Sequence, residues 1–112
     1  MMTSYLPGEL LLFEELVTTE QREGKTRPML VLVDTGDEDI VVARLSSRHL
    51  SIPYVVEIKQ WYEAGLAQPS FVRINKLQTV HKSLVRKRLG RLTTEDLRNV
   101  HSSLRVLFAP VL

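Results

Sequence analysis

Gly24-Lys25-Thr26-Arg27-Pro28 runs directly into Met29-Leu30-Val31-Leu32-Val33. Pro28 fixes its own φ and biases Arg27 toward an extended backbone, and the aliphatic, β-branched run that follows argues for a strand rather than a helix. The Arg27 guanidinium is thereby set at the mouth of a buried strand. Its planar fork suits phosphate oxygens, which directs attention to other phosphate-seeking groups that the fold brings near it.

Working outward, Glu9-Leu10-Leu11-Leu12-Phe13 after Pro7-Gly8 reads as an earlier strand, and the polar stretch from Glu14 to Thr26 as a long loop. Beyond Val33, the turn-rich Asp34-Thr35-Gly36-Asp37-Glu38-Asp39 leads into a third strand, Ile40 to Leu45, which pairs most economically with the second as a hairpin. Tyr54 to Ile58, Ser70 to Asn75 and Leu77 to His81 read as further short strands, with a helical turn over Gln60 to Gly65. Thr93 suits a helix N-cap, Asp96 stands where a capping-box acceptor reaches back, and Leu92 and Leu97 have the spacing of a hydrophobic staple. Leu97, Val100, Leu104 and Leu107 then line one face, and Pro110 lies just past the expected end. The expected fold is mainly β with some α: a small, strongly curved barrel or half-barrel of short strands with a C-terminal helix.

At 112 residues, with 44% hydrophobic and 25% charged side chains, the chain has the size and balance of one domain with a single core, expected to span 1–112. No repeat, low-complexity segment or Pro/Gly-rich linker argues for a second. No apolar run approaches the roughly 18 residues of a membrane span and no signal-like segment opens the chain, so a cytoplasmic location is expected. The sequence has no Cys, and His49, His81 and His101 lack ligand spacing, so no metal or other cofactor is indicated. The net charge of +2 is unevenly spread. Residues 1–40 carry nine acidic and three basic side chains, −6, leaving +8 for residues 41–112. The densest basic segment, Lys82 to Arg91, reads either as part of a phosphate-attracting surface or as a solvated strand face.

Gly24-Lys25-Thr26 invites comparison with a phosphate-binding P-loop, but that pattern needs a Gly where Thr19 stands and a helix where Arg27-Pro28 and a strand follow. A better candidate lies at the end of the third strand, which delivers Ser46-Ser47-Arg48-His49. Antiparallel pairing of the second and third strands brings Arg27 and Ser46 to one edge of the sheet. An Arg that stabilises an anionic transition state beside a hydroxyl that donates to a phosphoryl oxygen makes a plausible centre for phosphodiester cleavage. Each residue also has a structural reading: Arg27 paired with a loop Glu, Ser46 and Ser47 as turn hydroxyls, His49 and His81 on the surface, Trp61 and Tyr62 in packing rather than base stacking.

Pro7-Gly8-Glu9 before a first strand, Arg27-Pro28 before an apolar strand, Ser46-Ser47 closing the next, Val72-Arg73, and Leu89-Gly90-Arg91-Leu92 before a terminal helix resemble the MazF/PemK toxins in order and spacing. The resemblance spans roughly Tyr5 to Phe108. It implies a small SH3-like β-barrel, a homodimer, and a metal-independent, sequence-selective endoribonuclease that acts on single-stranded RNA and is inhibited by a cognate antitoxin protein, with DNA binding as a toxin–antitoxin complex. Arg27 matches the catalytic Arg of that family, and Ser46 the position of its Thr or Ser hydroxyl. Arg73 resembles a second functional Arg, with Asn75 where an Asp is expected. Ser47 and His49 are auxiliary catalytic or RNA-binding candidates together with Arg73 and Asn75, and Lys25 and Arg48 are RNA-binding candidates. The first long loop has no match to the PemK-type His, and Phe13-Glu14-Glu15-Leu16-Val17-Thr18 replaces the usual Phe-Pro-Phe-Thr pattern. Two other readings are a catalytically inactive module that binds RNA or antitoxin and a DNA-binding operon regulator.

Overall fold

The computed structural model describes residues 3–15 and 25–112. Strands β1 (Glu9–Glu15), β2 (Lys25–Asp34), β3 (Asp39–Ser46), β4 (Val55–Ile58), β5 (Ser70–His81) and β6 (Val85–Arg91) form one antiparallel sheet in the order β4-β5-β3-β2-β1-β6, followed by the helix α1 (Thr94–Phe108). This is the expected mainly β architecture with a C-terminal helix. The polar stretch 14–26 differs from the expected loop at both ends. Glu14 and Glu15 extend β1, and Lys25 and Thr26 begin β2, each paired across that hairpin. Residues 16–24, which include Gly24 and the remainder of that loop, lie outside the described residues.

Side chains alternate faces along each strand, and both faces are apolar over most of the sheet. Leu10, Leu30, Ala43, Ile58, Val72 and Ile74 share one core with Leu92 and Val100, the latter from α1. Leu11, Phe13, Met29, Val31, Ile40, Val42 and Val80 meet Tyr5 in a second. The sheet stays open between β4 and β6. The turn after β4 lies against β6 in the gap: a Cβ on Gly65 would meet the Leu89 carbonyl oxygen at 2.2 Å, and one on Gly90 the Ala64 carbonyl oxygen at 2.0 Å. Only glycine at both positions lets the two backbones touch. Within this turn Ala64 N–H donates to the Gln60 carbonyl at 3.1 Å, close to the helical turn expected there.

Ser70 to Asn75 and Leu77 to His81 are one strand rather than two. Its pairing with β3 jumps from Ala43↔Leu77 to Arg44↔Arg73, so Ile74, Asn75 and Lys76 form a bulge inside β5. At the helix start, Thr93 caps α1 as expected, its hydroxyl accepting from Asp96 N–H at 3.3 Å. Asp96 does not complete the capping box. Its buried carboxylate turns away to accept the backbone N–H groups of Lys59 and Gln60 at 3.1 and 2.9 Å, fixing the turn that closes against β6. Leu97, Leu104 and Leu107 pack on the core beside Val100, the stripe the sequence predicted.

The far end of β2 is anchored by Asp34. Its carboxylate accepts from Gly36 N–H and Tyr5 N–H, both at 2.8 Å, and pairs with Lys82 at 3.0 Å. Those two backbone donors, with the lysine, hold its carboxyl below the usual value near 3.8 against the opposing effect of desolvation. The basic segment 82–91 is a single 3-10 turn followed by β6, and part of its charge is used internally. Arg86 pairs with Glu14, and Arg88 donates to the Ser4 carbonyl at 2.8 Å and lies over the Tyr5 ring at 4.7 Å.

Candidate active site

The site is a product of register. Phe13 stands opposite Arg27, Met29 opposite Arg44, and Arg44 opposite Arg73, so one face carries side chains from β1, β2, β3 and β5 at the same end of the sheet. Glu15 lies two residues beyond Phe13 on that face, and Ser46 two residues beyond Arg44. Long side chains reach their diagonal neighbours in such an array. The Glu15 carboxylate does so twice, receiving Arg27 Nε on one oxygen at 2.6 Å and Arg44 Nη2 on the other at 2.8 Å. A carboxylate thus joins two guanidiniums at the strand mouth, and both cations remain partly open to solvent.

Beside this triad is an open cavity of about 310 Å³ lined by Arg44, Leu45, Ser46, Arg73 and Lys76. Its composition is cationic. Arg44 and Arg73 face each other across neighbouring strands, an arrangement that costs stability unless an anion intervenes. Among the described residues Glu15 is the one carboxylate paired with Arg44, and Arg73 Nε is buried with no hydrogen-bond partner. The β5 bulge contributes Lys76 to the same wall. Ser46 closes the cavity at the end of β3, where its Oγ accepts Arg48 N–H at 3.0 Å. That bond orients the hydroxyl, whose own contact as donor, to the Arg48 carbonyl, is long at 3.5 Å and can be exchanged for a bound anion.

The residues predicted from sequence therefore divide. Arg27 and Ser46 do share one edge of the β2–β3 pair, as the hairpin required, and Arg73 joins Ser46 in the cavity. His49 is exposed beyond β3, its ring packed edge-on against Phe71 at 5.4 Å, and Phe71 is the register partner of Ser46. Lys25 is exposed at the start of β2 opposite Glu15, and Ser47 and Arg48 are exposed past the end of β3. Asn75 is exposed in the β5 bulge and does not line the cavity. Arg27 is also paired with a Glu, the structural reading of its position, but that Glu belongs to β1 and brings Arg44 with it. Three residues of the site escaped the sequence: Glu15, read as part of a loop; Arg44, which falls inside the strand expected over Ile40 to Leu45; and Lys76, placed by a bulge.

Trp61 packs against the core and meets Tyr62 edge-on at 6.0 Å, in line with a packing role. His81 accepts Ser83 N–H at its own turn and reaches Glu38 at 3.2 Å, away from the site. Among the described residues no group of three or more His, Asp or Glu is placed to hold a metal ion, and no helix is long and apolar enough to cross a membrane.

The family model for the PemK-like, MazF-like toxin of type II toxin–antitoxin systems matches residues 8–108, a span that contains every strand, all of α1 and the whole cluster just described. The chain belongs to this family. Among solved structures, an endoribonuclease from a mycobacterial species is 19% identical and superposes with a TM-score of 0.76, covering 96% of this chain and 94% of that one. A mycobacterial endoribonuclease in complex with its cognate antitoxin is 17% identical, with a TM-score of 0.75 over 95% of this chain and 96% of that one. A MazE-MazF complex from Deinococcus radiodurans is 19% identical, with a TM-score of 0.75 over 95% and 98%. At these identities the shared property is the fold. No curated protein gives a significant match. Within this MazF-like fold, the site lies at the end of the sheet where Glu15 joins Arg27 to Arg44 and Ser46 lines the adjoining cavity.

Proposed function

We propose that this MazF/PemK family member is the toxin of a type II toxin–antitoxin system and a metal-independent endoribonuclease that cleaves single-stranded RNA. The observation that carries the reading is the gathering of Arg44, Arg73 and Lys76 with Ser46 around one cavity, with Arg27 joined to Arg44 through Glu15, the one carboxylate paired with either arginine among the described residues.

RNA supplies its own nucleophile. A ribose 2′-hydroxyl attacks the adjacent phosphorus, the bond to the 5′-oxygen breaks, and the products are a 2′,3′-cyclic phosphate and a 5′-hydroxyl end. The protein must align the attacking oxygen, stabilise charge on the phosphorane oxygens and manage two protons. Arg27, a guanidinium with donors and no acceptor, acts by charge and by those donors rather than by carrying a proton. Ser46 donates to a phosphoryl oxygen. His49, beside Phe71 at the Ser46 end of β3, is the imidazole nearest in the chain to that hydroxyl and is the candidate donor to the departing 5′-oxygen. Arg73 and Lys76 hold the phosphate backbone, with Lys25, Ser47, Arg48 and Asn75 as outer contacts along the strand.

The same reading assigns 1–112 as one family domain, a homodimer, an antitoxin partner and a cytoplasmic site of action. The solved mycobacterial endoribonuclease in complex with its cognate antitoxin supports that partner. The test is incubation of purified protein with mixed single-stranded RNA in excess chelator, with product ends mapped to the nucleotide. Discrete cuts bearing cyclic phosphates are expected. Binding without cleavage at any enzyme concentration would instead support the inactive binding module, and duplex DNA binding alone would support the operon regulator.

A further inference from the structure

The cleavage step proposed above needs an acceptor for the 2′-hydroxyl proton; the Arg27 guanidinium has no acceptor site, and the Ser46 hydroxyl is a weak base. Asn75 has no basic atom and lies outside the cavity. We propose that Glu15 is the proton acceptor of the site, an inference that rests on the ribonuclease reading.

The geometry gives Glu15 the position and the capacity. Among the described residues it is the one carboxylate joined to Arg27, at 2.6 Å, and it is joined at the same time to Arg44, which lines the Ser46 cavity, at 2.8 Å. The two guanidiniums use different oxygens. An ionised carboxylate has about four lone-pair sites, so each oxygen keeps one for a further donor such as a ribose hydroxyl. A phosphate seated on Arg27 and the Ser46 hydroxyl would bring its neighbouring ribose to this edge of the sheet. Glu15 is held on a strand by its pairing with Lys25, which fixes its backbone.

Charge bookkeeping favours the step. As the O2′–H bond breaks, the proton passes to Glu15 while the O2′–P bond forms, and a unit of negative charge leaves the carboxylate as one appears on the phosphorane. Arg27 and Arg44 lose an anionic partner and gain another at the same moment, so two fixed cations are transferred from base to transition state without moving far. The P–O5′ bond then breaks, the 5′-oxygen takes a proton from the acid side of the site or from water, and Glu15 returns its proton to solvent.

The test separates chemistry from binding. Glu15→Gln keeps an oxygen able to accept from Arg27 and removes the basicity; Glu15→Asp keeps the basicity on a shorter arm. Single-turnover cleavage of a mapped RNA is compared with affinity for the same oligonucleotide carrying a 2′-deoxy sugar at the cut, which binds and cannot react. Glu15→Gln is expected to lower the cleavage rate roughly 100- to 1000-fold. Its affinity for the deoxy analogue should be unchanged or tighter, and Glu15→Asp should retain an intermediate rate. A Glu15→Gln rate equal to or above wild type overturns the proposal and makes the carboxylate a plug that RNA must displace. Parallel loss of rate and affinity overturns it in favour of a positioning role. Wild-type protein that cuts no RNA overturns the ribonuclease reading and this inference together, an outcome visible before any variant is made.

Discussion

Lys76→Ala tests whether the cavity beside Ser46 is a phosphate site. Lys76 is exposed in the β5 bulge and makes no ion pair among the described residues, so its loss should leave stability within about 0.5 kcal/mol. Each cation that neutralises a phosphate of single-stranded nucleic acid contributes about 0.7 to the slope of log K against log salt. The three cations lining the cavity, Arg44, Arg73 and Lys76, therefore account for a slope of about 2, or a loss of roughly 16- to 20-fold in affinity between 50 and 200 mM salt. Removing Lys76 should reduce the total slope by about 0.7 and so make affinity about 2.6-fold less sensitive to that change in salt. Fluorescence anisotropy with an uncleavable deoxy-substituted oligonucleotide at several salt concentrations reads this directly. A slope identical to wild type, with melting temperature preserved, refutes the assignment of the cavity to phosphate.

Two further predictions concern what holds the site in place. Asp96→Ala deprives the N–H groups of Lys59 and Gln60 of a buried acceptor, and charged hydrogen bonds of this kind make a cost of ~3 kcal/mol expected. For a chain of this length that is a fall in Tm of about 12 °C by calorimetry, and a fall under about 4 °C would contradict the role given to Asp96. The depressed carboxyl of Asp34 adds stability that is complete above its unfolded value near 3.8 and lost as pH falls through its lower folded value. Urea denaturation should therefore show Asp34→Asn less stable than wild type at pH 7 and the gap shrinking below about pH 3.8; a constant gap down to pH 2.5 would contradict it.

Much of this architecture is written locally. Arg27-Pro28 and its apolar run, the Asp34 to Asp39 turn, and Thr93 with the stripe Leu97, Val100, Leu104 and Leu107 each carry their own conformational instruction, and each element formed where that instruction lies. Pairing of β2 with β3 also followed, because a short turn leaves the two strands few other options, and with it came the shared edge of Arg27 and Ser46. The remainder of the site depends on neighbours remote in sequence. Arg44 faces Arg73 only because β5 pairs with β3, and Lys76 reaches the cavity only because three residues bulge from that pairing. Glu15 reads as loop because Glu14-Glu15-Leu16-Val17-Thr18-Thr19 has no period-2 pattern. It is strand because Lys25 pairs with it across the hairpin. Asp96 has the spacing of a capping box, and the competing attraction is a pair of unfilled N–H groups more than thirty residues away.

The central claim, that the Arg27 end of this sheet cuts RNA, is tested most directly by the cleavage rate of Arg27→Ala on a mapped single-stranded RNA in excess chelator. Loss of a preorganised cationic donor to the phosphorane predicts a fall of roughly 100- to 1000-fold with cut positions unchanged. Cleavage at the wild-type rate after that substitution would contradict the account and move the chemistry elsewhere on the molecule.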